Sequence, residues 1–120
     1  MNITIYHNPR CRKSREALNY IIEKKIDYNL IKYLEEKFDN KTLSEVLMKL
    51  NIKPEELIRK NEKIWINKYK GKSFSDDKLI EILVENEKLI ERPIITYNND
   101  GVIARPIQNL IDFLKKINKS

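Results

Sequence analysis

The opening 33 residues constrain the fold most. Ile3-Thr4-Ile5-Tyr6 alternates and is β-branched, which predicts a strand over about 2–7. His7-Asn8-Pro9-Arg10 then reads as a loop, because Pro9 can neither extend a strand nor sit inside a helix. From Cys11 or Arg12 the pattern turns helical, with Ala17, Leu18, Ile21 and Ile22 as the apolar stripe. The helix is expected to end near Lys24-Lys25, where cations suit its C-terminal dipole. Tyr28 to Tyr33 reads as a second strand. Strand, helix and strand in so short a span form a βαβ unit, with parallel strands and a right-handed crossover.

The segment over about 40–90 is helical in pattern. One helix is expected from Thr42, carrying Leu43, Val46, Leu47 and Leu50. A second starts at Lys53-Pro54, with proline in its first turn. A short third is expected from Glu62 to Tyr69. A fourth is capped by Ser75-Asp76-Asp77-Lys78 and presents Leu79, Ile80, Leu83 and Val84. Ile94 to Tyr97 and Val102 to Arg105 then read as strands joined by an Asn98-Asn99-Asp100-Gly101 hairpin turn. Ile107, Leu110, Ile111 and Leu114 mark a closing helix. At 120 residues the chain has the size of one domain, 1–120. The expected class is α/β with a mixed four-stranded sheet.

Composition narrows the chemistry. There is one cysteine and one histidine, so an internal disulfide, a Cys/His zinc site and an internal dithiol cycle are all excluded. Any resolving thiol must come from another molecule. No apolar run approaches the roughly 18–20 residues needed to cross a bilayer. The first residues do not resemble a signal peptide, so a cytoplasmic protein without membrane or nucleic-acid partners is expected. The net charge of +6 fits a lysine-rich surface or attraction of an anion. Of 24 basic residues only six are Arg, namely Arg10, Arg12, Arg15, Arg59, Arg92 and Arg105. Arginine alone offers a rigid planar fork to an oxyanion, and three of the six flank the cysteine.

Cys11 falls at the start of the first helix, where unpaired N–H groups and the helix dipole favour a thiolate. Arg10, Arg12, Lys13 and Arg15 are expected to add to that and to lower its pKa. A Cys-based phosphatase loop needs Cys, five residues and Arg, but that Arg position holds Ala17. No Gly-rich nucleotide loop is available, because no glycine precedes Gly71. His7 reads as a base or polar neighbour of the thiolate, Arg59 as an oxyanion ligand or a helix-end cation. Arg92-Pro93 and Arg105-Pro106 bracket the hairpin, which makes Arg92 and Arg105 neighbours.

Four separated stretches together resemble the glutaredoxin-dependent arsenate reductase family: His7 to Arg15, Arg59-Lys60-Asn61, Leu89 to Ile94, and Arg105-Pro106. The resemblance implies a thioredoxin-like fold with strand order 2-1-3-4, a helical insertion over about 38–91 between strands 2 and 3, and a cis bond before Pro93. It implies Cys11 as nucleophile and Arg59, Arg92 and Arg105 as catalytic and oxyanion-binding residues. It sets His7, Asn8 and Ser14 near the substrate. It further implies arsenate or a similar oxyanion as substrate, no tightly bound cofactor, glutathione as co-substrate and glutaredoxin as partner. Arg12-Lys13 follows the cysteine where plasmid-type members carry Gly-Thr, a feature that resembles the chromosomal branch. Two rival readings are a glutathione-dependent thiol oxidoreductase with a different substrate, and an Spx-like transcriptional regulator. The regulator's Cys-x-x-Cys switch has no counterpart, because position 14 is Ser14.

Overall fold

The computed structural model describes residues 2–118. Met1, Lys119 and Ser120, which a domain over 1–120 also spans, lie outside the described residues. The order is β1 (Asn2–His7), α1 (Arg12–Glu23), β2 (Asp27–Lys32), α2 (Asn40–Leu50), α3 (Asp76–Glu85), β3 (Ile94–Tyr97), β4 (Asp100–Ile103) and α4 (Ile107–Asn118). The sheet runs β2-β1-β3-β4. β1 and β2 are parallel, while β3 is antiparallel to both β1 and β4. This is the mixed, thioredoxin-like sheet that the resemblance implied. No helix among the described residues is long and apolar enough to cross a membrane.

Register and pleat sort the side chains. Ile5, Ile95 and Val102 stand opposite one another, as do Tyr6, Ile94 and Ile103 one step along. Successive residues point to opposite faces, so the two rows belong to different layers. The Ile5 row packs against α1 and α4 through Ala17, Ile21, Leu110, Phe113 and Leu114. The Ile94 row packs against the segment between β2 and β3 through Leu43, Leu47, Leu57, Leu83 and Leu89. The sheet thus separates two apolar layers.

Several local expectations shift, each for a physical reason. α2 starts at Asn40 rather than Thr42, because Asp39 is the cap. Its carboxylate accepts from the Thr42 N–H at 2.7 Å, and Thr42 Oγ1 accepts from the Asp39 N–H at 2.9 Å. The helix expected at Pro54 is a single 3-10 turn, Pro54–Leu57. It stops because the next residues pair with another segment. Ile58 bridges Ile90, the Arg59 N–H donates to Leu89 O at 2.7 Å, and the Glu91 N–H donates to Leu57 O at 2.8 Å. The third helix narrows to a π-helical turn over Trp65–Tyr69, whose rings gather with Phe74. On α1, Ile22 is 50% exposed and leaves the buried stripe to Ser14, Ala17 and Ile21.

The hairpin turn is Asn98-Asn99 alone, with Asn98 at a positive φ of 53°. Asp100 and Gly101 belong to β4. Gly101 serves close packing, not a turn: a Cβ there would meet Leu50 of α2 at 3.3 Å. Tyr33 lies one residue beyond β2 and is buried.

Leu57 is fully buried where the 3-10 turn hands over to the Leu57–Arg59 pairing. Leu57→Ala is expected to lower the unfolding free energy by about 2–5 kcal/mol, measured by urea denaturation.

Candidate active site

The loop after β1 is built by its own side chains. The Cys11 N–H donates to Asn8 O at 3.0 Å, closing a turn with Pro9 at its second position. Asn8 Oδ1 accepts from the Arg10 N–H at 3.0 Å. Ser14 Oγ accepts from the Asn8 N–H at 3.0 Å and lies 2.8 Å from His7 Nδ1. His7, Asn8 and Ser14 are all buried. This chain from β1 through His7 and Ser14 to Asn8 holds the turn that presents Cys11.

Cys11 is the N-cap of α1 and is 8% exposed. Its thiol makes no full capping hydrogen bond. Burial pushes its pKa up, but an Arg92 hydrogen bond, the Ser14 N–H, the Arg92 charge and the Lys13 N–H together bring it below the ordinary thiol value. The four neighbouring cations do not carry this shift, contrary to the expectation from sequence. Arg10, Arg12 and Arg15 are exposed, where water screens their charge. Arg15 Nη1 instead donates to Pro9 O at 3.0 Å and fastens the loop.

The bond before Pro93 is cis, as the resemblance implied, and so is the one before Pro106. Arg92 reaches Cys11 from the strand end before Pro93. The Ala104 N–H donates to Pro93 O at 2.9 Å. Carried one step further, the β3–β4 register sets Arg92 opposite Arg105. The Arg105 guanidinium acts on Glu91, whose carboxyl is raised by burial and partly brought back by that charge. Arg59 is tied through its backbone to Leu89, and its Nη1 lies 3.1 Å from Glu62 Oε1. Arg59 is thus tied by its backbone to the segment that carries Arg92, while Arg105 acts on that segment through its charge on Glu91. Arg92 is the one of the three whose guanidinium acts on the sulfur and favours its thiolate.

His7 is bonded to Ser14, so its effect on Cys11 runs through the loop. Burial, and then the charges of Lys32 and Arg15, hold its pKa below the usual value. Tyr33 is a site residue that sequence reading passed over as part of a strand. In the parallel register it follows Lys32 as Asn8 follows His7, which places it at the C-terminal edge of the β1–β2 pair. That edge is where ligands bind in such sheets, and position was the available signal.

Two measurements check this geometry. Arg92→Gln is expected to raise the Cys11 pKa by about one unit or more, read from the pH profile of alkylation by iodoacetamide. Because the folded His7 pKa lies below its unfolded value near 6.5, its contribution to stability is complete above about pH 6.5 and declines as the pH falls. Urea unfolding between about pH 7 and 5.5 should show that decline, and His7→Gln should flatten it.

Residues 6–113 match the model of the ArsC family. The chain is 37% identical over 114 residues to the uncharacterized protein YfgD of Escherichia coli, covering 93% of this chain and 96% of that protein. It is 33% identical over 123 residues to an arsenate reductase of Escherichia coli, covering 99% of this chain and 85% of that one. Among solved structures, the arsenate reductase from Vibrio cholerae superposes with a TM-score of 0.87 at 36% identity, covering 92% of this chain and 97% of that one. A match along nearly the whole sequence, joined to the same fold, makes the conclusion plain: this chain belongs to the ArsC family.

Proposed function

We propose that this protein is an arsenate reductase that uses glutathione and glutaredoxin as its thiol donors. The observation that carries the reading is a buried cysteine at the N-terminus of α1, its thiolate favoured by Arg92, in a chain of this family. Arsenate is a tetrahedral oxyanion, largely dianionic at neutral pH. Its approach to a thiolate requires fixed positive charge, and arginine supplies charge and oriented donors together.

Cys11 sulfur bonds to arsenic, and one arsenate oxygen leaves as water. Arg92 favours the thiolate and, with Arg59 and Arg105, offsets the negative charge of the bound group. Glutathione then attacks. Two electrons pass to arsenic, As(V) becomes As(III), and two sulfurs leave as a disulfide. Glutaredoxin returns the thiols to the reduced state and arsenite departs. In sum, one arsenate and two thiols give one arsenite, one disulfide and one water. Because Cys11 is the chain's single cysteine, the second sulfur is external. His7, Asn8 and Ser14 position the loop, and the reaction belongs to the cytoplasm.

NADPH consumption, coupled through glutathione reductase with glutathione and glutaredoxin, tests the scheme. Arsenate-dependent turnover is expected, with Cys11→Ser abolishing it. Absence of turnover with a reactive Cys11 would move the function to another glutathione-linked substrate.

A further inference from the structure

We propose that the Tyr33 hydroxyl and the Arg92 Nε–H form a paired donor site for one oxygen of the oxyanion bound at Cys11. The inference rests on the oxyanion reading above and names a substrate-binding residue outside the arginine set.

Tyr33 is 1% exposed, and among the described residues its hydroxyl has no hydrogen-bond partner. Arg92 Nε is likewise buried and unpaired. The third such atom among the described residues, Arg59 Nη1, has the Glu62 carboxylate at 3.1 Å, whereas these two donors have no acceptor. Buried polar groups are nearly always satisfied, so two such donors acting in one neighbourhood point to an acceptor supplied by a ligand. Both belong to the Cys11 neighbourhood. The Asn8 and Arg92 side chains lie beside the Tyr33 hydroxyl without completing a bond, and the Cys11 sulfur acts on it electrostatically. Asn8 Oδ1 accepts from the Arg10 N–H, and no hydrogen bond joins it to the Tyr33 hydroxyl.

The ring is held in place. Tyr33 lies 6.1 Å from the Phe38 ring, and Phe38 stacks on Tyr6 at 5.3 Å, between ring centroids. Burial above all pushes the Tyr33 pKa up to about 12, so the hydroxyl stays protonated and available as a donor. An ionised oxyanion offers acceptors alone, which is the complement of two unpaired donors. Arg92 and the Ser14 and Lys13 N–H groups already favour the charged form of the sulfur. The hydroxyl is thus left for an oxygen attached to that sulfur's target.

The test uses the full chain, with arsenate as probe and no added reducing thiol. Arsenate is expected to protect Cys11 of the unaltered protein from iodoacetamide. Tyr33→Phe keeps the ring and removes only the hydroxyl. It should need roughly ten-fold more arsenate, or beyond, for the same protection. Its alkylation pH profile and melting temperature should not move. Protection of Tyr33→Phe at the original arsenate concentration would overturn the inference while leaving the oxyanion reading intact. A raised Cys11 pKa in Tyr33→Phe, with arsenate protection unweakened, would also overturn it, by assigning the hydroxyl to the thiolate. Failure of arsenate to protect the unaltered protein would overturn the oxyanion reading and this inference together.

Discussion

Burial alone keeps a thiol protonated, and Cys11 is almost wholly covered. What reverses that tendency is chiefly the guanidinium of Arg92, 81 residues later in sequence, which favours the thiolate. Much of the surrounding structure is what it takes to keep that arginine in place. β3 must pair with β1 in the right register, the 89–93 segment must be fixed, and the loop from His7 to Cys11 must not yield. Each requirement is met by hydrogen bonds or buried apolar contacts, not by surface charge.

The segment between β2 and β3 is better understood in this light. Its apolar layer covers one face of the sheet, and its Leu57–Arg59 stretch braces Leu89–Glu91 directly before Arg92. The same stretch carries Arg59, while Arg105 follows Ala104, whose N–H donates to the Pro93 carbonyl directly after Arg92. Packing and the placement of Arg59 and Arg92 are therefore one arrangement: loss of the apolar support would loosen the backbone pairing that carries the first and precedes the second.

The cluster of cations around Cys11 shows why proximity in sequence is a weak guide to electrostatics. Arg10, Arg12 and Arg15 lie within four residues of the sulfur, yet they face water, and Arg15 is engaged with the Pro9 carbonyl. A helix start radiates its first side chains outward, so neighbours in sequence diverge in space. Arg92 is distant in sequence but arrives through the sheet into a site that excludes water, where a charge acts with far less screening.

Hydrophobic periodicity, proline and turn residues were enough to read the order of strands and long helices, because those signals are local. The same locality exposed the limits. Nothing within Pro54–Ile58 announces that the helix must stop to pair with Leu89–Glu91, and nothing within Asp100-Gly101 announces that Leu50 will pack over the glycine. The candidate nucleophile was legible because one cysteine at a helix start is a local fact. That Arg92 is the arginine that acts on the sulfur, and that the Tyr33 hydroxyl is buried without a partner in the same neighbourhood, depended on strand register and burial. By itself the sequence determined the order of the main elements and the single thiol, so that any resolving thiol is external. The tertiary structure decided which charges and donors surround that thiol, because only packing brings distant residues together and removes the water between them.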